Sequence, residues 1–458
     1  MKILKFGAST LADAASIDKV VAIIAAEQKK NKDICVVVSS LKNVTTDLEE
    51  ISKQALSGES TYRELLQLLE ERHFNIVKKF VDVKHQAKVL ANIKVILNDL
   101  EDILHGVFLL WELSPRTVDH IQTYGVRISA YMLSEILKSK GIEVQYVDSQ
   151  SIIVTDNVFA NAHVQVEDSE KKIKDHFKKS KGIQIITGQI GASLKGESTS
   201  LGRDGTSYTA SLIGAVLNAE IIEIYTDRDG IMNADPDMVK KAYSLDSLTF
   251  AEAMELSNFG TRVIYPPALQ PAFKKGIPVL IKNLYNPKFK GTLIKKRLDD
   301  SGTFKAISSI KNVSLLTIQG SGMIGTAGVA ARVFGTLATH QISIVMITQA
   351  SSEQSITLAI SPQDGAKAVD VLKKEFAEEL RLEIIDKISQ KEKMAVIAAI
   401  GDNMQQTPGI AGKMFTVLGK NSINISAIAQ GSSELNITII LENKDLEKAL
   451  NVLHESFF

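Results

Sequence analysis

Residues 34–40, Ile-Cys-Val-Val-Val-Ser-Ser, decide the fold class of this chain. The unbroken apolar run is typical of a strand buried on both faces, as strands of parallel sheets are. Similar short runs predict further strands at Ile3–Phe6, Glu143–Val147, Ile183–Thr187 and Ile221–Thr226. Helical patterns separate these runs, near residues 15–30, 61–120 and 128–138. Strands that alternate with helices predict an α/β layer with a mainly parallel sheet.

The composition is that of a globular protein with several domains. A chain of 458 residues and 50.0 kDa is too long for one core, so two or three domains are expected. Lys+Arg and Asp+Glu both number 53, so the net charge favours neither nucleic acid nor an anionic membrane as a partner. The single cysteine excludes an internal disulfide framework and a Cys-based zinc site. Without a membrane span or signal peptide, we expect a cytoplasmic protein.

The C-terminal part contains an internal repeat. In a set of thirteen pairs, residues displaced by 81 positions are identical in type. The first members of these pairs are Gly320, Met323, Thr326, Gly328, Ala330, Phe334, Leu337, Ile342, Ile344, Gln349, Ser351, Ser352 and Glu353. Each unit has the pattern strand, glycine-bearing turn, amphipathic helix, strand, turn, strand. We therefore predict two small βαββ-type modules, suited to ligand binding or pairing, with a purely structural duplication as the alternative.

Three loops that follow predicted strands carry residues suited to phosphate and carboxylate chemistry. The first, Lys5–Thr10, offers backbone N–H groups, two hydroxyls and a lysine, without the spacing of a Walker A motif. The second, Thr187–Gly205, brings Arg203 to a predicted helix start, where an anion is favoured. The third, Tyr225–Pro236, suits a nucleotide or hydrated magnesium and lacks the terminal Glu of a calcium loop. Each loop taken alone is also compatible with an ordinary surface turn.

The residue inventory fits a reaction that needs neither a general base nor a covalent nucleophile. The eight histidines form no H-E-x-x-H motif and no Ser/His/Asp arrangement that the sequence can place. Phosphoryl transfer to a carboxylate meets this condition, because the acceptor oxygen is already ionised at pH 7. Catalysis then consists of positioning and of charge neutralisation by lysine, arginine, metal and backbone N–H groups.

The motifs resemble those of aspartate kinases, members of the amino acid kinase superfamily. The resembling segments are Lys5–Thr10, Val36–Asp47, Gly188–Ala210, Glu223–Pro236 and Ala251–Pro266. The likeness runs from residue 1 to the C-terminus and is strongest to the kinase portion of bifunctional aspartokinase–homoserine dehydrogenases. The chain ends where a dehydrogenase would begin, so we expect no homoserine dehydrogenase activity. The repeated tail resembles the paired ACT domains of these enzymes.

The resemblance implies a three-layer αβα kinase domain with a mainly parallel sheet, followed by two α+β ACT-like modules, and it implies ATP and Mg²⁺ as cofactors. It makes Lys5 the residue that stabilises the transferring phosphoryl group. It implies substrate contacts for Ser39, Thr45, Val126 and Arg203. It implies nucleotide contacts for Gly7, Ala8, Ser9, Thr226, Asp227, Met232, Asp237 and Arg262. It implies contacts with an amino-acid effector, such as threonine or lysine, for Gln349, Asn424 and Gln430.

Five residues depart from the active-site pattern of the family. Ala8 replaces a glycine, adding a methyl group where backbone approaches phosphate and disfavouring positive φ. Val126 replaces the glutamate expected to hold the substrate ammonium. Asp204 and Ser207 replace a glycine and an aspartate, so one acid is removed and another is introduced nearby. Asp237 exchanges a cation that faces phosphate for an anion.

Three functional hypotheses follow from the combination of family motifs with these five departures. The first is an ATP-dependent aspartate kinase that makes 4-phospho-L-aspartate under allosteric control by an amino acid. The second is a weak or inactive paralogue that acts as a regulatory, effector-binding subunit, because a buried ammonium that loses its charged partner costs ~3–5 kcal/mol. The third is a kinase for another carboxylate that lacks a free α-ammonium, which the apolar side chain of Val126 would suit.

We expect a kinase domain over residues 1–290 and ACT-like modules over 291–385 and 386–458. The segment near Phe304–Ser309 is compatible with either module. ACT-like modules commonly pair through sheet edges, which predicts a homodimer or larger assembly.

Overall fold

The parallel sheet predicted from residues 34–40 is present in the computed structural model, which describes residues 1–30, 33–259, 265–298, 304–349, 354–404 and 407–458. The chain forms two compact units. The first contains Met1–Ile231, Asp246–Phe250 and Val263–Arg297, and the second contains Met232–Leu245, Ala251–Arg262 and Leu298–Phe458.

The first unit is an α/β unit whose elements alternate as the sequence predicts. Its strands are β1 (Lys2–Phe6), β2 (Ile34–Val38), β3 (Val144–Val147), β4 (Val154–Thr155), β5 (Ile183–Thr187), β6 (Ile190–Ser193), β7 (Ser198–Ser200), β8 (Ile221–Thr226), β9 (Ser247–Thr249), β10 (Val279–Asn283) and β11 (Thr292–Lys295). Its helices are α1 (Ala14–Lys30), α2 (Val44–Leu56), α3 (Tyr62–Phe80), α4 (Val83–Leu110), α5 (Pro115–Ser139), α6 (Val166–Lys179) and α7 (Gly205–Leu217). Helix α8 (Phe250–Asn258) starts in this unit, and α9 (Pro266–Lys275) completes it.

Eight strands form one sheet in the order β3-β5-β2-β1-β8-β10-β11-β9, and only the β10–β11 pair is antiparallel. Strands β1 and β2 are buried on both faces, which explains the unbroken apolar run of residues 34–38. Leu4, Phe6 and Val36 join the core beneath helices α1–α5. The opposite face of β1 lies under α7, where Ile3 approaches Gly214. Strands β4, β6 and β7 form a separate small sheet.

The helical region before β3 differs in one respect from the sequence prediction. The helix predicted around residues 128–138 is the C-terminal half of the longer α5. Gly125 lies in its middle, where the missing side chain lets the helix pack against Val44, since an added Cβ would lie 2.8 Å from Val44 Cγ1. None of the helices within the described ranges combines the length and apolarity needed to cross a membrane.

The second unit is built on one antiparallel sheet. Its strands are β12 (Ala306–Gln319), β13 (Ile344–Gln349), β14 (Ser355–Ile360), β15 (Lys387–Ile400), β16 (Ala427–Ala429) and β17 (Asn436–Glu442). Its helices are α10 (Val329–Thr339), α11 (Gly365–Glu375), α12 (Ala377–Arg381), α13 (Ile410–Lys420) and α14 (Leu446–Phe457). The sheet order is β13-β14-β12-β15-β17-β16.

The structure confirms the internal repeat and extends it. The 81-residue displacement relates β12 to β15, α10 to α13 and α11 to α14, so each module has a further helix after its last strand that the βαββ prediction lacked. Strands β12 and β15 pair along their whole length, from Ala306 with Ile400 to Gln319 with Lys387. The first half of β12 thus pairs with the second half of β15, and both long strands run through both modules.

Candidate functional site

The C-terminal ends of five adjacent strands meet at one edge of the large sheet. Strands β5, β2, β1, β8 and β10 are parallel neighbours, so the loops after them lie side by side. This edge is where open α/β sheets bind ligands. The three loops singled out from the sequence all begin there.

Lys5 is the central cation of this edge. Its side chain is 10% exposed, and its Nζ lies 3.6 Å from Asp204 Oδ1. Asp204 also accepts a 2.8 Å hydrogen bond from Ser207 Oγ. Two of the departures from the family pattern, Asp204 and Ser207, therefore contact each other and orient one carboxylate toward the lysine. The sequence analysis placed Asp204 beside Arg203 and did not predict this contact with Lys5.

The N-terminus of α7 supplies a second attraction for anions. The helix begins at Gly205, directly after Asp204, which has φ 53°. The loop after β5 approaches this helix start so closely that a Cβ at Gly188 would lie 2.5 Å from Thr206 Cγ2. Gln189 N–H is held by Thr209 Oγ1 at 3.1 Å. Gly205 N–H donates to Gly202 O at 3.2 Å and Ser207 N–H donates to Asp204 O at 2.9 Å, so the attraction for an anion here comes from the dipole of α7 and from Lys5, which is paired with Asp204.

The loop after β1 is a tight turn that brings its backbone close to Lys5. Residues Ala8–Thr10 form a turn of 3₁₀-helix, closed by hydrogen bonds from Thr10 N–H and Oγ1 to Gly7 O at 2.9 and 2.7 Å. Ala8 is not among the described residues with positive φ, the conformation that alanine disfavours. Ser9 O accepts a 3.4 Å hydrogen bond from Tyr285 Oη. The substitution of glycine by alanine at position 8 is therefore compatible with the backbone of this turn.

The predicted substrate contacts Ser39, Thr45 and Val126 lie in one neighbourhood. Ser39 N–H donates to Phe6 O at 3.1 Å, which joins the ends of β2 and β1. Ser40 Oγ lies 3.1 Å from Thr45 Oγ1. The α5 residue before Val126, Gly125, approaches Ser40, since an added Cβ would lie 3.3 Å from Ser40 Cβ. Val126 is 4% exposed, which makes this part of the helix apolar and packed.

Arg203 is exposed and stacks on an aromatic ring. Its guanidinium carbon lies 4.9 Å from the ring centroid of Tyr265. In the described part of the chain, no carboxylate forms an ion pair with Arg203. A guanidinium held over a ring in this way keeps its N–H groups available for a bidentate contact with a carboxylate.

Asp119 positions the strand that leads to Arg203. The carboxylate is 2% exposed, and Oδ2 accepts hydrogen bonds from Ser200 N–H and Ala160 N–H, both at 2.9 Å. Burial raises the pKa of Asp119, while the two backbone donors act in the opposite direction. The sequence analysis missed this residue, because a single Asp in a helical pattern reads as a surface charge.

The third loop, which the sequence analysis assigned to the nucleotide, starts as a polar turn after β8. Thr226 Oγ1 accepts a 3.2 Å hydrogen bond from Arg228 N–H, and Asp227 is exposed. Asp229 accepts hydrogen bonds from Asn283 Nδ2 at 2.8 Å and from Asn286 Nδ2 at 2.9 and 3.1 Å. The amides of the β10 loop thus fix the turn, a role that the sequence analysis did not assign.

The remaining predicted nucleotide contacts are Met232, Asp237 and Arg262. Met232 and Asp237 belong to the second unit. Met232 Sδ accepts a 3.3 Å hydrogen bond from Ser244 Oγ, and Asp237 is exposed. Arg262 lies outside the described residues.

The three predicted effector residues lie at the edges of the antiparallel sheet. Gln349 is the last residue of β13, Gln430 follows β16, and Asn424 precedes β16; all three are exposed. The two edge strands meet, since Thr348 Oγ1 donates a 2.8 Å hydrogen bond to Ile428 O. Both glutamines are therefore near this junction of the two modules.

Comparisons with known proteins agree with the fold. The profile of the amino acid kinase family matches residues 1–283, and that of the ACT domain matches residues 316–376 and 397–457. Bifunctional aspartokinase/homoserine dehydrogenase 2 of Arabidopsis thaliana is 30% identical over 99% of this chain and 50% of its own length. Aspartokinase 1 of the same plant is 31% identical over 100% of this chain and 80% of its own length. The chain spans about half the length of the bifunctional relatives it matches.

Solved structures give the same result. The crystal structure of E. coli aspartokinase III in complex with aspartate and ADP (R-state) has a TM-score of 0.83 at 27% identity and covers 100% of both chains. The same enzyme in complex with lysine and aspartate (T-state) has a TM-score of 0.81 at 27% identity and covers 100% of this chain and 99% of that chain. The chain therefore belongs to the amino acid kinase family, and within it to the aspartokinases that carry ACT domains.

Proposed function

We propose that this chain is an ATP-dependent aspartate kinase, which transfers the γ-phosphoryl group of ATP to the β-carboxylate of L-aspartate to give 4-phospho-L-aspartate. The observation that carries the proposal is the buried Lys5 ammonium beside the N-terminus of α7, at the sheet edge where loops with the predicted substrate and nucleotide residues begin. The matching structure of E. coli aspartokinase III with aspartate and ADP supports the same ligands for this chain.

Lys5 neutralises the charge that develops on the transferring phosphoryl group. Asp204, supported by Ser207, holds the lysine in place, and so takes over part of the role of the acid absent at position 207. Because the acceptor carboxylate is already ionised, no residue has to remove a proton. The chemical step depends on alignment and on charge neutralisation.

The acceptor lies between Arg203 and the loop after β2. Arg203 binds the α-carboxylate with its N–H groups, while Ser39 and Thr45 donate hydrogen bonds to the carboxylate oxygens. Val126 gives the α-ammonium no countercharge, so we expect weaker binding of aspartate than an enzyme with an acid at this position would have.

ATP binds with its phosphates over the Gly7–Ser9 turn and with the rest of the nucleotide near Thr226 and Asp227. The described residues contain no group of three or more His, Cys, Asp or Glu that would hold a metal ion by themselves. Mg²⁺ commonly binds through nucleotide phosphates with one or two carboxylates, and Asp227 is the carboxylate that this site offers. When bound, the ion neutralises phosphate charge.

The repeated tail regulates the enzyme. We assign catalysis to residues 1–290 and regulation to modules at 291–385 and 386–458, with an amino-acid effector at Gln349, Asn424 and Gln430. Lysine in the T-state structure of E. coli aspartokinase III supports an effector of this class. ACT-like modules commonly pair with one another, which supports assembly into a homodimer that light scattering of the purified chain would detect.

The test is a hydroxamate assay for acyl phosphate with Mg·ATP and L-aspartate, run beside Lys5→Ala. We expect signal from the wild type and its loss in the variant. A folded wild type that is silent at millimolar aspartate would contradict the proposal. Signal with an N-acylated or deaminated acceptor alone would replace aspartate with an acceptor that lacks the α-ammonium.

A further inference from the structure

One face of α5 lies between α2 and β7. Asp119, Gln122 and Val126 follow one another at intervals of three and four residues, so their side chains leave the helix on the same side. Asp119 contacts β7, since its Oδ2 accepts a 2.9 Å hydrogen bond from Ser200 N–H. Gln122 contacts α2, since its Nε2 donates a 3.2 Å hydrogen bond to Glu49 Oε1. This face, here called the 119–126 face, therefore has β7 on one side and α2 on the other.

The 119–126 face borders the place that the proposed function gives to the acceptor. Thr45 lies in the first turn of α2, and Arg203 lies three residues beyond the end of β7. Val126 lies next to Gly125, which approaches Ser40 beside Thr45. An acceptor between Arg203 and the loop after β2 is thus placed beside Val126, whose side chain offers its ammonium group no charge. The inference below rests on the proposed function for this placement.

A carboxylate is located one helical turn from the two predicted substrate contacts on α2 and α5. Glu49 follows Thr45 by four residues on α2, and Gln122 precedes Val126 by four residues on α5. Side chains four residues apart on a helix are neighbours, with about 5–6 Å between their Cβ atoms. The hydrogen-bonded pair of Glu49 and Gln122 therefore lies next to the positions assigned to the substrate.

Gln122 orients the Glu49 carboxylate without neutralising it. The amide N–H is an uncharged donor, so the carboxylate keeps its negative charge while one oxygen is held. Among the described residues, no lysine or arginine forms an ion pair with Glu49. Glu49 is exposed and Gln122 is half-buried, which places the carboxylate at the rim of this region. An oriented carboxylate without a cationic partner is suited to receive an ammonium group.

We propose that Glu49, positioned by Gln122, is the countercharge for the α-ammonium group of the acceptor, and that it makes this site prefer an α-amino dicarboxylate to its deaminated analogue. Glu49 thus takes over part of the role of the acid that is absent at position 126, from the next turn of the two helices. Because Glu49 is exposed, its attraction for the ammonium group is weaker than that of a buried acid at position 126.

The experiment is a set of calorimetric titrations of the full chain, with Mg·ADP present, that compare Glu49→Gln with Glu50→Gln. Glu50 is a matched control, because it is also exposed and accepts a 3.1 Å hydrogen bond from a glutamine amide, that of Gln54. Its side chain leaves α2 about 100° further round the helix. The two ligands are L-aspartate and succinate, which has the same carboxylates and no ammonium group.

We expect the Kd for L-aspartate to rise about two- to fivefold in Glu49→Gln at low ionic strength, which is the size expected for an exposed ion pair. The Kd for succinate should stay constant or fall, because a negative charge near a dianion is removed. Glu50→Gln should change either Kd by less than about 1.5-fold. In a Val126→Glu background the ammonium group already has a partner, so adding Glu49→Gln should change the Kd for L-aspartate by less than about 1.5-fold.

The proposal is overturned if Glu49→Gln binds L-aspartate as the wild type does, if it loses affinity for succinate equally, or if Glu50→Gln shows the same loss. A wild type that binds succinate and not L-aspartate would also overturn it. Because the titrations need no turnover, a wild type that binds L-aspartate but forms no acyl phosphate would refute the proposed function, and the comparison of Glu49→Gln with Glu50→Gln would still decide the role of Glu49.

Discussion

Replacing Asp204 by asparagine tests whether the position of the Lys5 side chain depends on the Asp204 carboxylate. The substitution keeps the size of the side chain and an acceptor for Ser207 Oγ, and it removes only the charge 3.6 Å from Lys5 Nζ. At this distance Coulomb's law gives about 1 kcal/mol in water and about 5 kcal/mol at an effective dielectric constant of about 20. Since Asp204 is 27% exposed, we expect a loss of about 1–3 kcal/mol, which is ~5- to 150-fold in kcat.

The steady-state hydroxamate assay separates a role of Asp204 in positioning Lys5 from a role in binding ATP. Asp204→Asn removes a negative charge near the phosphates, so KM for ATP should stay constant or fall while kcat falls. Ser207→Ala, which removes only the hydrogen bond that orients Asp204, should cost less, about two- to tenfold. In a Lys5→Met background the partner is gone, and Asp204→Asn should change the residual rate by less than about twofold.

Two outcomes would refute this reasoning. If kcat of Asp204→Asn equals that of the wild type, the carboxylate does not position Lys5. If the losses from Lys5→Met and Asp204→Asn multiply in the double variant, Asp204 acts independently of the lysine.

Three further predictions follow from the site and the core. Val126→Glu should lower KM for aspartate by at least about tenfold by pairing the α-ammonium, measured in the same assay; an unchanged KM would show that the ammonium binds elsewhere. Gln430→Ala should abolish the response of kcat or thermal stability to the amino-acid effector without changing the uninhibited rate, and retained inhibition would remove the residue from the effector site. Burial lowers the pKa of His73 to about 4, so the unfolded chain binds more protons below pH ~6.5; about 2 kcal/mol of stability should be lost between pH 7.5 and pH 5. His73→Leu should remove that part of the acid sensitivity in thermal melts, and an identical pH dependence in the variant would contradict the assignment.

The sequence was sufficient to predict the parts of the fold that depend on local patterns. Residues 34–38 form a strand because their apolar side chains are buried on both faces, and this requirement shows directly in the sequence. The internal repeat was visible for the same reason, since its glycines and core residues recur at a fixed spacing. Helices α11 and α14 were missed because the prediction ended each module at its last strand, although identical pairs such as Leu372 and Leu453 continue into these helices.

Contacts that depend on tertiary structure could not be read from the chain. Lys5 and Asp204 are far apart in sequence and meet only because β1 ends beside the start of α7. The sequence could not show that position 8 has no positive φ, because this depends on the 3₁₀ turn that Ala8–Thr10 form. The Asp-rich stretch after β8 was assigned to the nucleotide as one motif. The structure divides this stretch after Ile231, and Met232 and the residues that follow it belong to the second unit.

The full-length pairing of β12 with β15 means that the two ACT modules are not separable pieces of the chain. A fragment that begins at residue 386 lacks Ala306–Ile310, the partner of Val396–Ile400. It would present five nearly fully buried residues along an open strand edge, which is a site for aggregation. Engineers who graft regulation from one aspartokinase to another should therefore transplant the tail as a pair, starting upstream of Ala306. The same interlocking implies that an insertion or deletion in β12 or β15 would shift the register of a pairing that both modules share.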